Sequence, residues 1–328
     1  MKNSAIILSG ALAKGAFEAG ALQVITKNPD LKIKSIVATS SGALNATALA
    51  AGLTSGRVER AMNALVDTWI ERGSWYNILE FSLNKIINRQ GISNSERLRR
   101  LIRLTVEKFV TADLHPIELK IVLTQLSGHT GFIDGKPNTT FEAVAEFNHL
   151  DFYNLKRRER IYNAACASAA FPGLFAPVEV EGFGACYDGG LVNDTPIKYA
   201  LESQHIDRII IISPFPAISA SVDNFKGLDL ASRFGDVVVN ERLYRDLVNA
   251  DKVNHLMRRL KHLRAVKEIT DEQFKKLETV LDNKREIEIV QIRPKKKLEG
   301  NGFSGLFKKQ LRVDYIEAGI KAALEAHL

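Results

Sequence analysis

Short apolar runs alternate along this chain with longer segments in which apolar residues recur at helical spacing. The short runs lie at residues 5–8, 36–40, 117–125, 208–213 and 287–294. The helical segments lie at residues 16–25, 41–51, 58–72, 95–109, 161–172, 236–283 and 313–328. Buried strands that alternate with helices are typical of a parallel sheet covered by helices. We therefore predict an α/β fold, and because no repeat, low-complexity tract or linker interrupts the pattern, residues 1–328 are predicted to form one domain.

The pattern changes most sharply at Ser40, where a β-prone run ends and a run of small helix formers begins. Such a strand–turn–helix corner exposes the serine hydroxyl, and the first amides of the helix point toward whatever the hydroxyl attacks. Ala38 and Gly42 flank the corner, and we expect them to face each other where larger side chains would clash. The plainer alternative is an ordinary turn in which Ser40 caps the helix.

The loop at residues 10–15 joins the first predicted strand to the first predicted helix. A loop that enters a helix N-terminus presents unpaired amides to negative charge. Its lysine stands before Gly15 and no Ser or Thr follows, so it does not match a P-loop, and it lacks the spacing of a dinucleotide site. The loop therefore indicates binding of an oxyanion or a phosphate rather than of a nucleotide cofactor.

A third element of interest is the turn Asp188-Gly189-Gly190, which closes a short apolar strand. Paired glycines allow a sharp turn and the close approach of another backbone. An aspartate in this setting is often only a turn residue. Asp194 offers a second carboxylate nearby, but Asp188 alone precedes the two glycines.

These three elements, in this order, resemble the motifs of patatin-like phospholipases. Residues 167–172 and 292–294 also resemble that family, so the resemblance runs through most of the chain. It implies a three-layer α/β/α fold with a central, mainly parallel sheet. It also implies a serine–aspartate dyad that hydrolyses lipid acyl esters without a histidine, a metal or an organic cofactor.

By this resemblance Ser40 is the nucleophile that forms a covalent acyl-enzyme, and Asp188 is its base. The resemblance implies that backbone amides stabilise the oxyanion, namely those of Gly10, Ala11, Leu12 and Ser41. It further implies a set of supporting residues, namely Lys14, Gly15, Ala38, Gly42, Gly189 and Gly190. Lys14 would support the loop or meet a phosphate head group, with a solvated lysine as the alternative. The expected substrate is a phospholipid or a lysophospholipid.

The chain departs from the family pattern in its loop and at its corner. Ala11 and Leu12 replace glycines, and a non-glycine residue at positive φ adds roughly 1–2 kcal/mol of strain. Ala38 also stands where the family has glycine, which adds only a methyl group. The altered loop motivates a second hypothesis, in which the protein binds lipid or acts as a scaffold without catalysis.

A Ser-Asp-His triad on the common α/β-hydrolase fold is a further alternative, and it fits less well. That fold places several strands before its nucleophile, whereas Ser40 is preceded by room for about one strand–helix unit. The histidines after Asp188 lie in or beside helical segments, at His205, His255, His262 and His327.

The positive charge of the chain is concentrated near its C-terminus. The formal net charge is +7, and residues 241–328 hold 20 Lys and Arg against 14 Asp and Glu. Two basic segments suit an anionic membrane surface. One is the helix at residues 256–264. The other is a loop in which lysines surround large apolar residues, namely Lys295, Lys296, Lys297, Lys308 and Lys309 around Phe303, Leu306 and Phe307. A helix packed on the domain is the alternative. No nucleic-acid-binding motif accompanies the charge.

The remaining composition excludes several classes of protein. Two cysteines, Cys166 and Cys186, cannot form a disulfide framework, although a single bridge stays open. No histidine or cysteine spacing is typical of a zinc site, and no run is long enough for a membrane-spanning helix. The first residues imitate a signal peptide, but Ser9-Gly10 interrupts the apolar stretch. We therefore expect a cytoplasmic protein, and peripheral contact with an anionic membrane through the basic C-terminal part stays open.

Overall fold

The chain folds into the alternating strands and helices that its apolar pattern predicts. The computed structural model describes residues 2–81, 91–111, 115–133, 136–203, 205–216, 228–281 and 284–326. Its strands are β1 (Asn3–Leu8), β2 (Lys32–Ala38), β3 (Glu80–Phe81), β4 (Ser93–Asn94), β5 (Glu118–Gln125), β6 (Thr130–Ile133), β7 (Lys136–Thr139), β8 (Glu142–Asn148), β9 (Val178–Val180), β10 (Gly184–Asp188), β11 (Arg208–Ile212) and β12 (Glu288–Ile292).

The helices cover the sheet and connect its strands. They are α1 (Gly15–Ile25), α2 (Ser41–Thr54), α3 (Val58–Arg72), α4 (Trp75–Ile78), α5 (Glu96–Val106), α6 (His149–Tyr153), α7 (Leu155–Ser168), α8 (Lys198–Leu201), α9 (Leu228–Ala265), α10 (Asp271–Val280), α11 (Ser304–Phe307) and α12 (Lys309–Glu325). Single 3₁₀ turns occur at Leu12–Lys14, Glu107–Phe109 and Gly189–Leu191. Among the residues described, no helix combines the length and the apolar character required to cross a bilayer.

The main sheet is mixed, with its parallel part at one end. Its strand order is β12-β11-β1-β2-β5-β10-β9, and β8 also pairs with β5. The pairs from β12 to β5 are parallel, whereas β8, β10 and β9 are joined by antiparallel pairs. The prediction of an α/β fold with a mainly parallel sheet is confirmed.

Alternate residues of the central strands pack into two separate cores. In β1, Ile6 and Leu8 belong to the larger core, which also contains the apolar faces of α1, α2, α3 and α12. Ala5 and Ile7 point to the opposite face, where they pack with Ala200 of α8 and Leu243 of α9. Because a strand directs successive side chains to opposite faces, helices lie on both sides of the sheet. The three-layer arrangement implied by the family resemblance is confirmed.

Strand β5 brings two chain segments together end to end. Strand β8 pairs with residues 118–124 of β5, so β2 and β10 share its other edge. Strand β2 runs parallel to β5 and stops with Ala38 opposite Ile121. Strand β10 runs antiparallel and stops with Asp188 opposite Leu123. The C-terminal ends of β2 and β10 therefore face each other across the single residue Val122.

The basic helix that contains residues 256–264 uses its apolar face for packing within the protein. Met257 and Leu260 of α9 are buried against Phe274 of α10. Arg264 forms an ion pair with Asp271 at 2.6 Å, and Lys261 pairs with Glu286 at 3.0 Å. Of the two interpretations drawn from the sequence, the packed helix is therefore the one observed, because α10 covers the face that a membrane would need.

Helices α1 and α12 approach each other through glycines. A methyl group on Gly20 would overlap the carbonyl oxygen of Ile316, and one on Gly319 would overlap that of Phe17. The two backbones are thus in direct contact, and α12 fixes the position of α1 against the sheet.

We expect Gly319→Ala to destabilise the protein even though alanine favours a helix. Overpacking of this kind costs roughly 1–3 kcal/mol, which exceeds the gain of up to about 1 kcal/mol in helix propensity. Thermal unfolding of the variant should show a lower midpoint than the wild type. Glu317→Ala, at an exposed position of the same helix, is the control, and an equal midpoint for both variants would contradict the close contact.

Candidate active site

Ser40 occupies a strained corner between β2 and α2. Its backbone has φ 54° and ψ −137°, an unusual conformation for a residue other than glycine. The Ser40 amide donates to Ser168 Oγ at 2.9 Å, and Ser168 Oγ donates to the Val122 carbonyl at 2.7 Å. Ser168 thus ties the corner to the residue of β5 that separates β2 from β10. The predicted strand–turn–helix corner is present, but Ser40 is buried at 6% exposure, so the expectation of an exposed hydroxyl was wrong.

The hydroxyl of Ser40 is directly hydrogen-bonded to Asp188. Ser40 Oγ donates to Asp188 Oδ2 at 2.7 Å, and the Gly190 amide donates to Asp188 Oδ1 at 2.8 Å. The two side chains are nearly buried, since Ser40 is 6% and Asp188 4% exposed. A buried carboxylate within reach of a serine hydroxyl has the arrangement of a general base and its nucleophile.

The backbone of Asp188 is fixed on both sides. Its amide donates to the Ala170 carbonyl at 3.0 Å, and its carbonyl accepts from Thr124 Oγ1 at 2.7 Å. A methyl group on Gly189 would overlap the Val122 carbonyl oxygen, so the turn after Asp188 needs a residue without Cβ. These contacts limit how far the Asp188 carboxylate can move from Ser40.

Burial changes the ionisation of Asp188. Removal from water raises the pKa of this carboxyl to about 6, although the hydrogen bonds from Ser40 and Gly190 lower it. A base with a pKa near the working pH is best suited to proton transfer. The environment of Asp188 therefore brings its pKa toward the range in which it can accept and return a proton.

Asp194 lies close to Asp188 without bonding to Ser40. Its Oδ2 atom is buried and has no hydrogen-bond partner among the described residues. Burial, and then the neighbouring charge of Asp188, raise the pKa of Asp194. Of the two carboxylates considered from the sequence, the structure places Asp188 against the serine hydroxyl.

The loop at residues 10–15 lies against the start of α2. A methyl group on Gly10, which has φ 68°, would lie 2.8 Å from the Ser41 amide nitrogen. The Gly10 amide donates to Glu18 Oε1 at 2.6 Å, and the Ala11 amide donates to Ser41 Oγ at 3.1 Å. Two of the four amides assigned to the oxyanion from the sequence are therefore bonded within the protein. The amides of Leu12 and Ser41 have no hydrogen-bond partner within the described part of the chain.

The two residues that replace loop glycines differ in backbone conformation. Ala11 is extended, with φ 164°, which any residue adopts. Leu12 has φ 53°, in the left-handed region, and carries strain of roughly 1–2 kcal/mol. The strain expected from the sequence therefore falls on Leu12 alone.

The residues expected to support the site lie around this loop and corner. Lys14 is only 4% exposed, which contradicts the alternative of a solvated lysine. Gly15 approaches the Ser41 side chain, and Ala38 is fully buried. Gly42 contacts the Leu8 carbonyl of β1, which a methyl group would approach to 2.7 Å. The nearest neighbour that requires a glycine at this position is thus the Leu8 carbonyl of β1.

Glu18 and Ser168 contact the site and were missed from the sequence. Glu18 is a charged residue within an otherwise apolar helical segment, which was a signal of a buried role. Ser168 lies in residues 167–172, which resemble the family, but the sequence did not indicate which residues it contacts. Burial raises the pKa of Glu18 to about 8, against hydrogen bonds from Gly10, Asn45 and Ser9 that lower it.

The other candidates from the sequence form neither a disulfide nor a triad among the described residues. Cys166 and Cys186 are both free buried thiols, so they do not form the single disulfide that the composition left open. Within the described residues, no histidine hydrogen-bonds to Ser40 or to Asp188. His327 lies outside the described residues.

Comparison with known proteins identifies a family. The family model described as "Patatin-like phospholipase" matches residues 6–201, which is more than half of the chain and includes the loop, Ser40 and Asp188. The comparison with curated proteins gave no match.

Solved structures with similarity to this chain include two bacterial proteins. VipD from Legionella pneumophila is 11% identical, with a TM-score of 0.39, over 99% of this chain and 66% of that one. ExoU in its complex with SpcU, from the type III secretion system of Pseudomonas aeruginosa, is 18% identical, with a TM-score of 0.30, over 74% and 51%. A separate structure of the type III effector ExoU is 16% identical, with a TM-score of 0.35, over 99% and 53%. The chain thus spans between about half and two thirds of the length of these structures.

We expect Asp188→Asn to stabilise the protein at alkaline pH. A carboxyl whose pKa is raised in the folded state adds stability below its unfolded pKa, and that stability is lost as the pH rises through the folded value. With a folded pKa of about 6 against 3.8, the loss above pH 6 is roughly 2–3 kcal/mol. Unfolding midpoints measured at pH 4 and pH 8 should therefore differ less in the variant than in the wild type. Asp30→Asn, at an exposed position, is the control. If the unfolding midpoints of Asp188→Asn equal those of the wild type at both pH values, the raised pKa of Asp188 is refuted.

Proposed function

We propose that this chain, which belongs to the patatin-like phospholipase family, hydrolyses lipid acyl esters through a Ser40–Asp188 dyad and a covalent acyl-enzyme. The hydrogen bond of 2.7 Å between Ser40 Oγ and Asp188 Oδ2 carries the proposal. The strained corner at Ser40 and the raised pKa of Asp188 support it. The substrate class is a phospholipid or a lysophospholipid.

The first half of the reaction transfers the acyl group to the enzyme. Asp188 Oδ2 accepts the proton of Ser40 Oγ while Oγ attacks the carbonyl carbon of the ester. The negative charge that develops on the carbonyl oxygen is stabilised by the amides of Leu12 and Ser41, the two assigned donors without another partner among the described residues. The intermediate then expels the lipid alcohol, which takes the proton from Asp188, and an ester on Ser40 remains.

The second half restores the enzyme. Asp188 accepts a proton from water, and the resulting hydroxide attacks the acyl carbon. Collapse of this second intermediate releases the fatty acid and returns the proton to Ser40 Oγ. Asp188 begins and ends the cycle ionised, so the cycle requires a pH above the pKa of this carboxyl.

We expect Ser40→Ala and Asp188→Asn each to reduce ester hydrolysis by roughly 10³-fold or more, as for members of other hydrolase dyads and triads. Wild-type kcat/KM should fall below about pH 6, because protonated Asp188 cannot accept the serine proton. Hydrolysis of a short acyl ester, together with intact mass after fluorophosphonate treatment, measures both effects.

Matched variants separate the dyad from general damage. Ser55→Ala, at the other end of α2, and Asp194→Asn should each keep most of the activity. An adduct that persists in Ser40→Ala would contradict the assignment of the nucleophile. A folded wild type that forms no adduct and hydrolyses no ester would favour the hypothesis of a lipid-binding protein without catalysis.

We further propose that the segment at residues 303–309, the aromatic-basic segment, contacts an anionic membrane surface. Phe307 is 67% exposed, and the exposed residues Lys308 and Lys309 follow it. Leu306 is buried and holds the segment to the protein, so it is not available to a membrane as the sequence interpretation had it. The segment adjoins the loop at residues 10–15, since the Ala13 amide donates to the Gly302 carbonyl at 3.1 Å.

We expect Phe307→Ser to weaken binding to anionic vesicles by roughly tenfold, because burial of a phenylalanine side chain is worth about 1.5–3 kcal/mol. Co-sedimentation with phosphatidylcholine–phosphatidylserine vesicles measures the effect. Phe132→Ser is the control, since Phe132 is similarly exposed at 76% but lies in the β6–β7 hairpin. Equal losses in the two variants, or no binding by the wild type, would contradict the proposed contact.

A further inference from the structure

A buried carboxyl lies beneath the loop at residues 10–15 and takes no part in the reaction proposed above. Glu18 of α1 is fully buried between the apolar residues Phe17 and Ala19. Burial of such a group is costly unless it is hydrogen-bonded. Glu18 Oε1 accepts from the Gly10 amide at 2.6 Å, and Oε2 accepts from the side-chain amide of Asn45 at 2.9 Å.

Asn45 of α2 fixes the orientation of the Glu18 carboxyl, and Asn45 is itself held by residues of α1 and α3. Its Nδ2 also donates to the Gly15 carbonyl at 2.9 Å, and its Oδ1 accepts from the indole of Trp69 at 2.8 Å. Residues of α1, α2 and α3 are therefore linked by one hydrogen-bonded chain that ends at the Gly10 amide. Gly10 and Asn45 each donate to a different oxygen of Glu18, so both oxygens of this buried carboxyl have a hydrogen-bond partner.

Four of the five backbone amides in residues 10–14 donate hydrogen bonds within the protein. Gly10 donates to Glu18, Ala11 to Ser41 Oγ, Ala13 to the Gly302 carbonyl, and Lys14 to the Ala11 carbonyl. Among residues 10–14, Leu12 is the amide without a hydrogen-bond partner in the part of the chain that the structure describes. Leu12 also has a left-handed backbone, with φ 53°.

We propose that Glu18 is a positioning residue, which holds the Gly10 amide so that the Leu12 amide is the donor offered by the loop to the oxyanion. The Ser41 hydroxyl has the same role toward Ala11. This inference rests on the proposed hydrolase function, but the hydrogen bond that it invokes is measurable without turnover. Of the three loop amides expected from the sequence to bind the oxyanion, those of Gly10, Ala11 and Leu12, only the Leu12 amide then has this role.

The test combines kinetics with hydrogen exchange in the full chain. We expect Glu18→Ala to lower kcat for a short acyl ester by roughly 10²-fold, the loss typical of one oxyanion donor, with KM changed by less than about threefold because the interaction forms in the transition state. Exchange measured by mass spectrometry should become faster in peptides that cover residues 9–12. Gly319→Ala is the matched control, since it perturbs α1 at the Phe17 carbonyl and leaves the Glu18 side chain in place.

The outcomes separate this inference from the proposed function. A loss of kcat in Glu18→Ala well beyond that of Gly319→Ala, with faster exchange in the loop, supports the positioning role. Unchanged loop exchange, or equal kcat in the two variants, overturns it while the hydrolase function stands. If the wild type neither hydrolyses esters nor reacts with a fluorophosphonate, the proposed function fails, and exchange alone decides whether Glu18 positions the loop.

A second variant keeps the test decisive if Glu18→Ala does not fold. Glu18→Leu has a similar volume but offers no acceptor oxygen to the Gly10 amide. We expect its kcat to fall roughly 10²-fold, as for Glu18→Ala. A Leu variant with wild-type kcat and wild-type loop exchange would overturn the inference.

Discussion

The site depends on the way in which β2 and β10 share one edge of β5. The two strands run toward each other and stop on either side of Val122, so each delivers its last side chain to the same point. Parallel neighbours alone would place their carboxyl ends side by side, at the spacing of adjacent strands. The opposed strands instead bring Ser40 Oγ within 2.7 Å of Asp188 Oδ2, a direct hydrogen bond that needs no intervening imidazole.

This arrangement has a cost that the surrounding contacts offset. Ser40 is held at positive φ, and Asp188 is held away from water, and neither condition favours the folded state. Ser168 links the strained amide of Ser40 to the carbonyl of Val122, and Gly189 packs against the same carbonyl. One peptide group of β5 therefore supports both halves of the proposed dyad, and the large apolar core behind it supplies the stability.

Much of the fold could be predicted from local patterns of apolar residues, whereas the proposed pairing of Ser40 with Asp188 followed from the family resemblance. Ser40 and Asp188 each end an apolar strand, and small residues beside them mark close approaches. The interaction of Glu18 with Gly10 could not be predicted in this way, because a single charge in an apolar helical segment does not reveal its partner. The packing of Met257 against Phe274 was undecided for the same reason, since the apolar face of a basic helix suits a protein core and a membrane surface equally.

The hydrogen bonds of the loop at residues 10–15 explain how it accommodates Ala11 and Leu12 in place of glycines. Three glycines in succession leave a loop free to direct its amides, whereas here Glu18 and Ser41 hold the first two amides from within the protein. Gly10 must remain glycine, because its left-handed backbone lies against the amides of α2. Ala11 is extended and tolerates a side chain, and Leu12 alone carries strain. The hydrogen bonds of its neighbours offset that strain, so the loss of two glycines is compatible with a preorganised donor at Leu12.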